Sequence, residues 1–184
     1  MGKKLIGIVG MPGSGKSIVR KVGMRKGYGV IVMGDVVRRE VESRGLEPNI
    51  TNLGKVMVEL REKYGAGVVA KRCLEEIEKI DNRVVLIDGI RSLEEVKVFR
   101  KLYPNFKLIA VHSSPKTRFS RLRSRMRRDD PEDWREFAKR DEVEIKVGIG
   151  GAIALADYMI VNEGTREELE MNAKKILEEI VKDE

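Results

Sequence analysis

The chain has 184 residues, which suffices for one domain with a substantial core and is too short for two comfortable ones. Hydrophobic residues make up 41% and charged residues 36% of the sequence, and no stretch is apolar enough to span a bilayer, so we expect a globular domain with a heavily charged surface. The net charge of +7 suits phosphate-rich ligands, nucleic acid among them, although a solvated charged surface accounts for most of the lysines.

Cysteine usage and the N-terminal residues indicate the compartment. The single cysteine excludes a disulfide framework, and Cys73 falls in an apolar helical stripe that places it in the core. Residues 2–4 lead directly into a hydrophobic run without the organisation of a signal peptide, so a cytoplasmic protein is expected. Glutamine is absent while Lys, Arg and Glu are abundant, a composition that leans towards a thermophile.

The first predicted strand leads into a complete phosphate-binding loop. Residues 5–9 have the length of a buried parallel strand, and residues 18–22 carry apolar side chains at helical spacing. Between them stands G-x-x-x-x-G-K-[ST], formed by Gly10, Met11, Pro12, Gly13, Ser14, Gly15, Lys16 and Ser17. The glycines let the backbone approach phosphate oxygens, Lys16 can reach the outer phosphates, and the Ser17 hydroxyl can ligate Mg²⁺.

The second predicted strand, residues 30–33, is followed by Asp35 and Arg38. A carboxylate at this edge of an open α/β sheet faces the ligand crevice, so Asp35 could orient an acceptor or Mg²⁺-bound water, or accept a proton. The alternative is that Asp35 is an ordinary helix N-cap. Arg38 lies one helical turn later, and its planar guanidinium suits a phosphate on the acceptor.

The third predicted strand, residues 84–87, is followed by Asp88. An acid after four apolar residues fits the Walker B position, which holds Mg²⁺ directly or through water, and the alternative is a turn aspartate. Arg91 comes three residues later. It either bridges the acceptor phosphate and the transferring phosphoryl group or pairs on the surface with Glu94 or Glu95.

The most charged segment follows the fourth predicted strand, residues 108–111. Steps of three and four place several of its arginines on one helix face, namely Arg118, Arg121, Arg125 and Arg128. We interpret residues 118–150 as a helical lid, in which two or three arginines neutralise charge on a phosphoryl group in transfer and Arg140 follows on the same segment. The alternatives are a solvated basic helix and a helix that contacts RNA.

The fifth predicted strand, residues 158–161, precedes a last helix that begins with the capping-box residue Thr165, as an earlier helix begins with Ser92. Strands that alternate with helices imply a parallel sheet. We therefore predict a single α/β domain over residues 1–184, with three layers and a mostly parallel five-stranded sheet in the order 2-3-1-4-5.

Taken in order, these motifs resemble those of P-loop kinases of the adenylate-kinase type. The matching pieces are the arginine-rich segment and residues 10–17, 34–38, 53–55 and 88–91. The tail at residues 156–164 is similar to the last strand of dephospho-CoA kinases. The overall impression is closest to an archaeal group of proteins related to both kinases.

The resemblance implies ATP at residues 10–17, an acceptor monophosphate held by Arg38 and Arg91, and a closing lid that carries Arg121, Arg125 and Arg140. The expected reaction is Mg²⁺-dependent transfer of the γ-phosphoryl group of ATP to a small phosphorylated acceptor, a nucleotide being the first candidate. In this hypothesis Lys16 holds the phosphates, Ser17 and Asp88 hold the metal, and Asp35 and Arg38 position the acceptor.

Other functions stay open at this point. One is a dephospho-CoA-kinase-like activity. Another is an ATPase switch associated with RNA or protein, in which the arginine helix binds a phosphate backbone. A third is nucleotide binding with little turnover.

Overall fold

Within residues 2–125 and 130–182, which this computed structural model describes, five strands form one sheet flanked by helices. The strands are β1 (Lys4–Val9), β2 (Gly29–Val32), β3 (Val84–Ile90), β4 (Lys107–His112) and β5 (Tyr158–Val161). The helices are α1 (Lys16–Arg25), α2 (Met33–Ser43), α3 (Ile50–Tyr64), α4 (Val68–Lys79), α5 (Leu93–Leu102), α6 (Pro115–Arg125), α7 (Trp134–Val147), α8 (Ile149–Ala154) and α9 (Arg166–Lys182). Arg128 of the predicted arginine face lies outside the described residues.

The sheet has the order β2-β3-β1-β4-β5, and every strand pair is parallel. This confirms the predicted fold class and strand order. Because parallel strands all end at the same edge, the residues that follow β1, β2, β3 and β4 meet there. No helix in the described part of the chain is both long enough and apolar enough to cross a membrane.

Alternate side chains of β1 enter two separate cores, as the period of two in a strand requires. Leu5 and Val9 pack with α2, α3, α4, α5 and α8 on one face, whereas Ile6 and Ile8 pack with α1 and α9 on the other. Cys73 lies fully buried in the first core, as predicted, and burial raises the pKa of its thiol to about 12. The three layers therefore follow from the near-continuous apolar character of the strands.

The strand that carries Asp88 is longer than predicted. β3 continues through Asp88 to Ile90, and the pairing of β1 passes from Asp88 to Ile90 without Gly89. Gly89 has a φ of 99°, which a residue with a side chain rarely adopts, so the strand bulges at this position. Asp88 thus belongs to the sheet, beside β1 and the start of the phosphate loop, and the turn interpretation is wrong.

The helix starts agree with the capping predictions at two of three places. The side chain of Ser92 accepts a hydrogen bond from the backbone N–H of Glu95, and Thr165 caps α9 in the same way. The N-cap of α2 is Val32, whose side chain cannot accept a hydrogen bond, and Asp35 lies inside the first turn. The N-cap interpretation of Asp35 is therefore wrong, although its charge still favours that helix end.

Arg118 joins α6, α7 and the phosphate loop in the interior of the protein. It is only 3% exposed. Its Nη1 donates a hydrogen bond of 2.8 Å to Asp141 Oδ1 and one of 3.2 Å to the carbonyl oxygen of Pro12. Its guanidinium also lies over the ring of Phe137. A buried arginine with these partners anchors structure, so it is not one of the arginines that a lid could carry to a ligand.

We expect Arg118→Met to lower the free energy of unfolding by about 3–5 kcal/mol, because it leaves the largely buried Asp141 carboxylate, 14% exposed, without its partner. Urea denaturation followed by circular dichroism measures this loss. The matched control is Arg123→Met on the exposed side of the same helix, which should change stability by less than about 0.5 kcal/mol. A loss under about 1 kcal/mol in Arg118→Met would show that the ion pair does not anchor α6.

Candidate functional site

The phosphate loop runs from the end of β1 to the start of α1, and its glycines are tightly constrained. Gly13 and Gly15 adopt φ values of 82° and 106°. A Cβ atom at Gly15 would lie 2.5 Å from Asn162 Nδ2, and one at Gly10 would lie 2.4 Å from the carbonyl oxygen of Val111. Both the backbone conformation and the contact with neighbouring strands therefore require glycine, and they shape the loop in the absence of a ligand.

Polar groups that follow β4 and β5 support this loop from behind. Asn162 Nδ2 donates a hydrogen bond of 2.8 Å to the carbonyl oxygen of Ser14. Ser113 Oγ donates one of 2.6 Å to the carbonyl oxygen of Asn162. Arg121 donates 2.9 Å from Nη1 to Ser113 Oγ. Sequence reasoning missed Asn162, although a polar residue directly after the last strand was an available signal.

Lys16 points back onto the loop. Its Nζ donates a hydrogen bond of 2.5 Å to the carbonyl oxygen of Gly10 and one of 3.2 Å to the carbonyl oxygen of Met11. Burial lowers the pKa of Lys16 to about 8, against the opposing charge of Asp88. The loop therefore holds a poorly solvated cation next to its backbone amides, where a phosphate would stabilise it.

Asp88 is buried and paired with a residue that sequence reasoning missed. Its Oδ2 accepts a hydrogen bond of 2.9 Å from Nη1 of Arg20. Burial raises the pKa of Asp88, while Lys16 and Arg20 act in the opposite direction. Arg20 stands one helical turn after Lys16 in α1, so its i+4 spacing was the signal that could have found it.

The side chains of Ser17 and Asp88 fit a metal ion that binds together with a nucleotide. Ser17 and Asp88 line the same cavity, and the Ser17 residue is exposed there. No cluster of three or more His, Cys, Asp or Glu side chains suited to a metal occurs in the described ranges. Mg²⁺ at phosphate sites uses one or two protein oxygens together with phosphate oxygens and water. The pair could therefore complete such a shell but could not supply one alone.

The cavity around the loop, which we call the phosphate cavity, has a volume of about 410 Å³ and is strongly cationic. Among the described residues it is lined by two acids, Asp88 and Glu144, and by six cations, Lys16, Arg20, Arg91, Arg121, Arg125 and Arg140. This excess of positive charge suits a polyanion such as a nucleoside triphosphate.

A second cavity of about 650 Å³, which we call the acceptor cavity, lies between α2, α3 and α7. Its apolar lining includes Met33, Val37, Leu53, Met57, Val69, Pro131 and Val143. Among the described residues five cations, Arg38, Arg61, Arg91, Lys139 and Arg140, face four acids, Glu95, Asp130, Glu136 and Glu144. An apolar body with a small charge suits this cavity better than a polyanion does.

The two cavities meet at a shared border formed by Gly89, Arg91, Arg140 and Glu144. Arg91 pairs with Glu144 across 3.1 Å, whereas the predicted surface alternative was a pair with Glu94 or Glu95. The backbone N–H of Arg91 does donate 2.8 Å to the Glu95 carboxylate, but its guanidinium faces the border. The surface alternative is therefore wrong for the side chain of Arg91.

Asp35 contacts one other predicted site residue, Arg38, but lies outside both cavities. Arg38 lines the acceptor cavity and donates 3.2 Å to Asp35 Oδ1, but Asp35 itself lines neither cavity and its side chain is 49% exposed. Met11 and Ser14 of the loop likewise line neither cavity. The roles of all the site residues stay predictions.

The remaining predicted arginines lie where α6 and α7 approach each other. Arg125 donates 2.8 Å from Nε to Asp130 Oδ2, and Arg140 lies 3.9 Å from the other carboxylate oxygen of Asp130. Arg121 donates to Ser113 Oγ, as described above, and also to the carbonyl oxygen of Asn162 at 3.1 Å. The described arginines of the predicted face all contact groups of this chain. They therefore give little support to the alternative of a solvent-facing arginine stripe that binds RNA.

The parallel sheet in the order 2-3-1-4-5, with a glycine loop between β1 and α1, defines a P-loop protein of the kinase-like class, a fold that implies nucleotide binding. The family described as AAA domain matches residues 9–138. A UPF0200 protein of Methanothermobacter thermautotrophicus is 47% identical over 98% of this chain and 92% of its own length. Another, from Thermococcus kodakarensis, is 46% identical over 95% and 96%. The chain belongs to the UPF0200 family, which confirms the predicted resemblance to an archaeal group of P-loop kinase-like proteins.

Solved structures share the fold along nearly the whole chain. TT1252 from Thermus thermophilus superposes with a TM-score of 0.71 at 21% identity, covering 97% of this chain and 98% of that one. A shikimate kinase from Bacteroides thetaiotaomicron gives a TM-score of 0.63 at 16% identity, covering 95% and 98%. At these identities the likeness shows the fold alone.

We expect the affinity for Mg-ATP to fall as the pH rises above about 8, the pKa to which burial lowers Lys16 in the free protein. A bound phosphate favours the charged amine, so binding takes up a proton in this range, and affinity falls by up to about tenfold per pH unit. Calorimetry at pH 7–9.5 in buffers of different ionisation enthalpy measures the uptake.

The control for this titration is Lys21→Met, which changes an exposed lysine of the same helix and should keep the proton uptake. Lys16→Met should abolish the uptake along with most of the affinity. Equal affinity of the unchanged protein at pH 7 and pH 9.5 would show that Lys16 is not the titrating contact.

Proposed function

We propose that this protein transfers the γ-phosphoryl group of Mg-ATP to a small phosphorylated acceptor, of which a nucleotide is the first candidate. The loop amides and Lys16 bind the triphosphate, and Ser17 and Asp88 hold the Mg²⁺ that neutralises its charge. The acceptor occupies the neighbouring cavity beside Arg38 and Arg91. The transferred group goes either to a phosphate oxygen, as in a nucleoside monophosphate kinase, or to a hydroxyl group, as in a dephospho-CoA kinase.

The observation that carries this proposal is the border between the two cavities. A phosphoryl donor held by the loop and an acceptor held by the second cavity would meet at Arg91, Arg140 and Glu144. An ATPase switch needs no such second cavity next to the loop, because water is its acceptor. A small-molecule kinase needs it, since catalysis of phosphoryl transfer consists mainly of holding two reactants in line.

Arginines from α6 and α7 supply the charge that phosphoryl transfer requires. Arg121, Arg125 and Arg140 line the phosphate cavity together with Lys16 and Arg20 of α1. Cations placed around a transferring phosphoryl group stabilise the charge on its oxygens. We propose that they perform this role as the lid of residues 118–150, which also excludes water from the reacting group.

The acceptor is to be identified by incubating the protein with Mg-ATP and one acceptor at a time. The panel comprises the four common nucleoside monophosphates, the corresponding nucleosides, dephospho-CoA and shikimate, the last because of the structural neighbour. Mass spectrometry detects a product heavier by one phosphoryl group. We expect at least one acceptor to be phosphorylated, with turnover abolished by EDTA.

Lys16→Met should lower kcat/KM for that acceptor by about 10²–10³-fold, the typical cost of removing one group that stabilises transferred charge. Lys21→Met should leave it unchanged. ATP hydrolysis with no phosphorylated acceptor anywhere in the panel would contradict the kinase proposal. RNA binding whose affinity drops steeply with salt would then favour the ATPase switch.

A further inference from the structure

One carboxylate oxygen of the site stands out because it is buried without a partner. Glu144 in α7 is 7% exposed, and its Oε1 forms an ion pair with Nη1 of Arg91 at 3.1 Å. Its Oε2 is fully buried and has no hydrogen-bond partner in residues 2–125 and 130–182. A buried, unpartnered carboxylate oxygen costs free energy, and because the residue Glu144 lines a cavity, a donor group of a ligand could offset that cost.

The position of Glu144 relates it to both reactants. It lines the phosphate cavity as well as the acceptor cavity, and its negative charge acts to raise the pKa of Lys16. In the proposed reaction the γ-phosphoryl group and the acceptor approach each other at this border. The Glu144 carboxylate therefore lies at the border where the attacking atom of the acceptor would stand.

The charge of Glu144 restricts what that atom can be. A phosphate oxygen of a nucleoside monophosphate carries negative charge at neutral pH and would meet the carboxylate with repulsion. The same phosphate would also find Arg91 already paired with Glu144. A hydroxyl group is neutral and donates the hydrogen bond that Oε2 lacks.

A second unpartnered atom marks the far side of the same cavity. Arg61 in α3 pairs through Nη2 with Glu95 at 3.0 Å, and its buried Nε has no hydrogen-bond partner among the described residues. Arg61 and Arg38 both line the acceptor cavity but not the phosphate cavity. An anionic oxygen of the acceptor would satisfy this donor at a distance from the reacting group.

From these contacts we infer that the acceptor is a phosphorylated or otherwise anionic small molecule that reacts through a free hydroxyl group, and that Glu144 accepts the proton of that hydroxyl. This inference rests on the proposed kinase function. The hydroxyl oxygen forms the bond to the γ-phosphorus as the bond from phosphorus to the β–γ bridging oxygen breaks. ADP leaves with that bridging oxygen, and the hydroxyl proton passes to Oε2 and then to water.

The chemical position of the new phosphate tests the first half of this inference. Product from the acceptor panel is analysed by phosphorus NMR, which distinguishes a phosphate ester on a hydroxyl group from a diphosphate. We expect the ester, formed with dephospho-CoA or another hydroxyl acceptor of the panel. A diphosphate formed from a nucleoside monophosphate would leave the kinase proposal standing and overturn this inference.

Glu144→Gln tests the second half, because glutamine keeps the shape and one hydrogen-bond acceptor but cannot take a proton. We expect kcat for the hydroxyl acceptor to fall by about 10²–10⁴-fold while KM changes by less than about threefold. The affinity for Mg-ATP should stay within about twofold of the unchanged protein, which also shows that the variant is folded. Glu142→Gln, two residues earlier on the exposed side of α7, should retain full activity.

Three other results would overturn the inference. An unchanged kcat in Glu144→Gln would show that Oε2 takes no proton. An unchanged kcat combined with a raised Mg²⁺ requirement would place Glu144 on the metal shell instead. If no acceptor of either kind is phosphorylated although Mg-ATP binds, then the kinase proposal fails together with this inference.

Discussion

The shape of the phosphate loop depends on groups that contact it from behind, and the rest of the site depends on that shape. Asn162 holds the loop backbone at Ser14, Arg118 holds it at Pro12, and the carbonyl oxygen of Val111 leaves no space for a side chain at Gly10. These contacts come from the ends of β4 and β5 and from α6, which are distant in sequence. The loop is therefore fixed by the complete sheet rather than by its own eight residues, which explains why the motif needs this fold around it.

The same arrangement makes the two cavities different in charge although they share a wall. The phosphate cavity gathers cations from α1, α6 and α7 around the loop, whereas the acceptor cavity balances its cations with acids from α5 and α7. In the proposed reaction, donor and acceptor would therefore be separated by charge as well as by space. A second triphosphate would be stabilised only weakly in the acceptor cavity, so this charge distribution would favour one bound donor over two.

The sequence predicts those features that depend on local pattern. Short apolar runs place the five strands, and the loop motif places the phosphate site, because both need specific residues at fixed spacing. The length of β3 could not be predicted, because a glycine after an aspartate is typical of a turn, whereas Gly89 here forms a bulge and the strand continues to Ile90. Nor could the position of Glu144, one acid among several in α7, because only the fold brings it to Arg91 and to the border of the two cavities.

Several cations of the site form ion pairs within the protein, and this limits which ligands can recruit them. Arg20 is held by Asp88 and Arg91 by Glu144, while Asp130 binds Arg125. A ligand must exchange these carboxylates for its own oxygens. The arginines are partly exposed but the carboxylates are largely buried, so leaving a carboxylate without its partner costs free energy. A single phosphate offers too few oxygens to offset several such exchanges, whereas a triphosphate with Mg²⁺ engages the loop amides, Lys16 and the arginines together. In the proposed function, this internal pairing would therefore favour a nucleoside triphosphate over smaller anions before any contact with the base.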